Sequence, residues 1–172
     1  MRQRSRKRFP PPPSEVFGGP IPAFIKERTG FLLQTAAISV ISTLEKNLAP
    51  LNLKIPHYVV LNTLSESEQP SQIEIGNKVH FDRTKMVNIV DELEERGLVK
   101  REANPADRRA NVLRLTEAGR AALGAARKTE LAVEDQFLAA LTPQQRRQLQ
   151  QTLTMIAQAH LQELERPRDP AT

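Results

Sequence analysis

The chain has 172 residues, with 25 Lys and Arg against 20 Asp and Glu, a formal net charge of +5 and a pI near 9.9. Arg2, Arg4, Arg6, Lys7 and Arg8 carry that excess, so the other 164 residues are electrically neutral, and the bulk pI reports a tail rather than a basic body. The absence of Cys excludes disulfides, cysteine zinc sites and thiol chemistry, and the longest apolar run, Phe137 to Leu141, is far too short to span a bilayer, so the expectation is a soluble, cytoplasmic protein.

Residues 1–22 read as a disordered basic and proline-rich tail, since Pro10 to Pro13 favour an extended polyproline conformation. From Phe24 to Leu48, apolar residues such as Phe31, Leu32, Ile38, Ile41, Leu44 and Leu48 recur at helical spacing. That helix ends before Pro50, and a second starts at Pro56 and runs through Val60, Leu61 and Leu64.

Ser71-Gln72-Ile73-Glu74 has the form of a capping box and opens a short helix with Ile75 and Val79 inward. Gly76 stands inside that helix at a cost, which implies that another helix crosses it closely. His80 and Phe81 make a turn. Asp82 caps a longer helix with the apolar stripe Met86, Ile89, Val90 and Leu93, ending at Gly97.

Two strand-like segments, 98–101 and 111–115, flank the polar loop 102–110 as a hairpin. Thr116 then caps a long helix from Glu117 to about Ala140. Thr142-Pro143-Gln144-Gln145 opens the last helix, whose stripe is Leu149, Leu153, Ile156, His160 and Leu164. Residues 166–172 form a flexible end.

This order defines a mainly α fold with a small β-hairpin wing. It is a winged helix-turn-helix core (55–116) flanked by amphipathic helices (23–50 and 117–165) that need a second subunit to cover their faces. Within a single domain at 23–165, the flanking helices are therefore expected to dimerise.

Five stretches resemble the MarR family of bacterial transcription regulators. They are 48–53 (Leu-Ala-Pro-Leu-Asn-Leu), 71–75 (Ser-Gln-Ile-Glu-Ile), 90–99 (Val-Asp-Glu-Leu-Glu-Glu-Arg-Gly-Leu-Val), 104–110 (Asn-Pro-Ala-Asp-Arg-Arg-Ala) and 115–120 (Leu-Thr-Glu-Ala-Gly-Arg). They fall in order at family spacing between about Thr29 and Ala157. The resemblance implies a homodimer that binds a pseudo-palindromic double-stranded DNA operator and represses nearby genes. It also implies release by a small aromatic effector, phenolic or carboxylic, bound between the dimerisation and DNA-binding parts. No cofactor and no membrane partner are expected.

With Met86 at the centre of the buried stripe, the N-terminal half of the second motif helix presents Thr84, Lys85, Val87 and Asn88 to a major groove. Asn suits an adenine edge, and Lys a guanine or a phosphate. Ser71 and Gln72 open the preceding helix, where free N–H groups favour a phosphate. The resemblance assigns Asp107-Arg108-Arg109 to the wing tip, with Arg109 entering the minor groove and Asp107 steadying it. It also places Phe31, His57 and Tyr58 at the border of the effector pocket. Three scattered histidines form no metal site, and no nucleophile–base pair or phosphate loop points to an enzyme. The competing reading is a nonspecific or architectural DNA-binding protein that works through its basic N-terminal arm.

Overall fold

The computed structural model describes residues 22–103 and 111–164, with side chains up to Ala159. The basic tail, the wing residues Asp107, Arg108 and Arg109, and the side chain of His160 lie outside the described residues. Two units are distinguished, one ending at Val133 and one starting at Glu134.

In the first unit, α1 (Ala23–Lys26) and α2 (Thr29–Leu48) replace the single helix expected from Phe24. The break falls at Arg28, whose backbone is extended (φ −76°, ψ 132°), just before Thr29 and Gly30. Neither residue favours a helix interior, so little opposes the interruption. A 3-10 turn, Ala49–Leu51, carries the chain past Pro50 into α3 (Ile55–Ser65).

The helix-turn-helix follows as α4 (Gln72–Lys78) and α5 (Arg83–Glu95). Both caps form as expected. Ser71 Oγ accepts the Glu74 N–H at 3.2 Å while Glu74 Oε2 accepts the Ser71 N–H at 2.7 Å, and Asp82 Oδ1 accepts the Lys85 N–H at 2.9 Å. His80 takes the left-handed conformation in the turn between them (φ 52°). Gly76 is where the two helices touch. A Cβ there would lie 3.1 Å from Met86 Cγ and 3.4 Å from the Phe81 carbonyl oxygen, so the crossing is tight and a larger residue would make Met86 shift by a few tenths of an ångström.

Strands β1 (Val99–Ala103) and β2 (Asn111–Leu115) pair antiparallel, with Val99 opposite Leu115 and Ala103 opposite Asn111. A third backbone segment joins β2: the Pro70 carbonyl accepts the Leu113 N–H at 2.9 Å, and Ser71 bridges Val112. The hairpin is thereby fixed to the entry of α4. Thr116 caps α6 (Glu117–Phe137), its Oγ1 accepting the Gly119 N–H at 2.9 Å.

The core gathers Leu48, Val60, Leu61, Ile75, Met86, Val90, Leu93, Val99, Leu113 and Ala126, each nearly or wholly buried. Every residue expected on the inner stripe of α5 is in it. A fully buried Leu, Ile or Met contributes about 1.5–3 kcal/mol, so this cluster is what holds α3, α4, α5 and the hairpin together. The outer helices differ. In α2 only Leu48 is buried, while Leu32, Leu33 and Ile41 are exposed, as is Leu131 in α6.

In the second unit, α7 spans Pro143–Leu164. Its cap is the expected box, with the Gln145 N–H donating to Thr142 Oγ1 and the Thr142 N–H to Gln145 Oε1. Arg146 pairs with Asp135 at 2.8 Å, and Leu153, Met155 and Ile156 are exposed.

Candidate DNA-binding surface

The surface is built on α5, and its two halves have different electrostatics. In the N-terminal half, Thr84, Lys85, Val87 and Asn88 are all exposed, as the helical geometry predicts. The only acid there is the cap, Asp82, whose carboxylate faces the backbone. Lys85 rests its ammonium 3.4 Å from the centre of the Phe81 ring, a cation–π contact that leaves the charge accessible.

The C-terminal half carries acids, and three of them are tied inward. Glu92 Oε2 lies 2.8 Å from Lys54 Nζ and 3.0 Å from His57 Nε2. Glu94 takes both the backbone N–H and the guanidinium of Arg101, and Asp91 accepts from Arg101 Nη2 at 2.6 Å. Lys54, chiefly, holds the Glu92 carboxyl below the usual carboxylate range. Three of the four acids in this half are thus paired with cations of neighbouring elements, and Glu95 is exposed.

Arg101 is a functional residue that the sequence pattern does not single out. From β1 it reaches Asp91 and Glu94 on α5, and its Nη2 lies 3.4 Å from Gln72 Oε1 at the start of α4. One guanidinium therefore joins wing, recognition helix and the first helix of the motif. Its place at the end of the strand expected at 98–101 was visible in the sequence, but its partners seven, ten and 29 residues away were not. Gln72 is accordingly engaged at its side chain, whereas the Ser71 hydroxyl serves the cap.

At the wing, Lys100 and Arg114 both pair with Glu102, at 2.5 and 2.7 Å. The described part of the hairpin therefore compensates much of its own charge. Asp107, Arg108 and Arg109 lie outside the described residues.

The effector candidates are not brought together. His57 is 3 % exposed and turns toward α5, where it lines a cavity of about 430 Å³ with Lys54, Thr84, Lys85, Asn88 and Glu92. The Lys54 N–H donates to His57 Nδ1 at 3.2 Å, so the ring proton sits on Nε2 and is donated to Glu92. Burial lowers the His57 pKa below 6.5, outweighing the pull of Glu92. Tyr58 instead turns toward α6, donating its hydroxyl to Glu130 Oε2 at 2.5 Å. Burial first, and then this carboxylate, push the phenol up to about 12. Phe31 on α2 is half-buried and lines neither this cavity nor a second hollow of about 570 Å³ under Ile73, Val87 and Arg101.

No group of three or more His, Cys, Asp or Glu among the described residues could hold a metal ion, and no described helix is long and apolar enough to cross a membrane. Two helices at a tight turn, the second exposed along its N-terminal half, with an antiparallel hairpin beside them, make this a winged helix-turn-helix protein.

Residues 53–110 match the model of the MarR family. CouR from Rhodococcus jostii RHA1, in a crystal structure with p-coumaroyl-CoA, is 32% identical over 77% of this chain and 94% of its own, with a TM-score of 0.65. A MarR-family transcriptional regulator from Rhodococcus sp. RHA1 is 32% identical over 74% and 92% of the two chains, with a TM-score of 0.64. The transcriptional repressor CouR bound to a 23-mer DNA duplex is 31% identical over 81% and 99%, with a TM-score of 0.71. The chain belongs to the MarR family of transcriptional regulators.

Proposed function

We propose that this chain is a dimeric, sequence-specific repressor that binds a pseudo-palindromic operator and releases it when a small aromatic effector binds. The observation that carries the reading is the division of α5. Its N-terminal half offers Thr84, Lys85, Val87 and Asn88 to a groove, while Asp91, Glu92 and Glu94 are bound by Arg101, Lys54 and His57. Ser71 and Gln72 at the α4 N-terminus supply the phosphate side, and Arg109 and Arg108 at the wing, aided by Asp107, the minor groove.

The second copy is proposed from the apolar side chains that α2, α6 and α7 leave exposed. Leu32, Leu131 and Met155 are 53, 60 and 71% exposed in the single chain, and the matching helices of a second copy would cover them. Helices 23–50 and 117–165 are the proposed dimerisation elements.

For the effector, CouR with p-coumaroyl-CoA supports an aromatic acid or its thioester. Of the three effector candidates, His57 is the one placed to transmit occupancy, because it and Asn88 line the same cavity. Phe31 and Tyr58 remain proposed contacts of the aromatic group.

Footprinting on fragments selected from the genome tests the reading. A single protected pseudo-palindrome of about two helical turns, with half-sites roughly 10 bp apart, is expected. Uniform protection at all sequences would instead indicate the nonspecific binder acting through its basic arm.

A further inference from the structure

The end of α3, strand β2 and α6 border an open hollow of about 470 Å³ that no part of the DNA-reading surface uses. Three arginines line it, Arg114, Arg120 and Arg127, and no carboxylate does. Arg127 is aimed by neutral acceptors, Nε donating to Asn62 Oδ1 and Nη2 to Ser65 Oγ, both at 2.8 Å. Arg120 donates from Nη1 to the Leu115 carbonyl at 3.0 Å. Neither guanidinium has a carboxylate partner among the described residues. Arg114 shares its partner, Glu102, with Lys100. A fourth cation stands at the rim, Lys78 Nζ lying 2.9 Å from the hydroxyl of Ser67, another lining residue.

Gly124 adds an independent observation. It lies in the interior of α6, where glycine is a costly choice, and a Cβ there would meet nothing within 4 Å. No packing neighbour requires this glycine; its effect is to keep the cavity wall bare.

We propose that this cavity is a binding site for phosphate carrying more than one negative charge in total, either as one terminal group or as two neighbouring phosphodiesters. Guanidinium forks match phosphate oxygens in pairs, and Arg120 and Arg127, both held in place by neutral partners, carry positive charge that a singly charged carboxylate would not balance. The volume lies within the range of small-molecule sites and exceeds what a bare phosphate needs, so the group belongs to a larger molecule. That molecule is either a phosphorylated small ligand or the backbone of DNA flanking the operator.

The probe is inorganic pyrophosphate, titrated calorimetrically into the full-length protein at constant ionic strength, with and without operator duplex. One saturable site per chain is expected. The double variant Arg120→Gln/Arg127→Gln should weaken it at least tenfold. Gly124→Leu, which occupies the hollow while leaving every cation in the sequence, should abolish it while the melting temperature stays at or above that of the parent. Pyrophosphate that binds without displacing the duplex identifies a phosphorylated small ligand, and displacement identifies the DNA backbone. No saturable binding, or equal binding by parent and both variants, overturns the proposal. Operator binding that survives in the same samples shows that only this site has failed and not the regulator reading.

Discussion

His57 Nε2 donates to Glu92 Oε2 at 3.0 Å, joining the first turn of α3 to the recognition helix one turn beyond Asn88. The geometry demands a neutral imidazole. A proton added at Nδ1 would face the Lys54 N–H that now donates to it, inside a site 3 % exposed. Burial is the main cause that lowers the His57 pKa, with the nearby Lys54 and Arg96 charges adding to it.

Stability should therefore depend on pH in a defined window. In the unfolded chain His57 binds its proton near 6.5, but in the folded state only at lower pH. Between those two values the unfolded state holds more protons, so stability falls as pH falls and levels off below the folded-state pKa. The urea midpoint of the parent should drop between pH 7.5 and 5.5, and His57→Gln should show a smaller drop. An equal drop in both would assign the effect to other groups.

Arg101 should behave as a joint rather than as a DNA contact. Arg101→Gln removes charge-assisted bonds to Asp91 and Glu94 that are partly exposed, so the expected loss of stability is about 1–2 kcal/mol by urea unfolding. Operator affinity should fall as well, because two freed carboxylates then stand on the recognition helix. The dependence of affinity on salt should keep its slope, since no phosphate contact is lost. A slope shallower by about 0.9 would show instead that Arg101 touches the backbone.

The elements that local chemistry decides were legible in the sequence. Ser71, Asp82, Thr116 and Thr142 each cap the helix assigned to them, and the stripe Met86, Ile89, Val90 and Leu93 is the buried face of α5. Gly76 announced a close helix crossing, and Met86 is what crosses it. What escaped were relationships between elements. Glu92 reads as one acid in an exposed run, and only the fold brings Lys54 and His57, 38 and 35 residues earlier, to its carboxylate. His57 and Tyr58 are adjacent in the chain, yet successive residues of a helix point about 100° apart, so one meets α5 and the other α6. The break at Arg28 was hidden because apolar spacing continues across it.

Two glycines of α6 should respond oppositely to alanine. At Gly119 a Cβ would lie 1.9 Å from the Leu98 carbonyl oxygen, which already accepts the Thr116 N–H at 3.1 Å. Backbone cannot move aside there without opening the hairpin, so Gly119→Ala should cost about 3 kcal/mol or more, read as a lower urea midpoint or loss of folded protein. At Gly124 the space is open, and Gly124→Ala should raise stability by up to about 1 kcal/mol through helix propensity alone. Equal effects at the two positions would mean that α6 does not pack on Leu98 as described.

The last pair separates reading of bases from holding of the backbone. Asn88 and Lys85 are both exposed on the N-terminal half of α5, three residues apart, and flank one cavity. If Asn88 makes a bidentate contact with a base edge, Asn88→Ala should reduce discrimination by about 1–3 kcal/mol at one position of each half-site and leave other positions unchanged. Lys85 must leave the Phe81 ring to reach a phosphate, at a cost of about 0.5–1 kcal/mol, so its net contribution is small and independent of sequence. Lys85→Ala should weaken all duplexes alike and reduce the salt slope by about 0.9. Binding measured across a library of operator variants at two salt concentrations distinguishes the two patterns. A loss of discrimination in Lys85→Ala with none in Asn88→Ala would reverse the roles proposed for them.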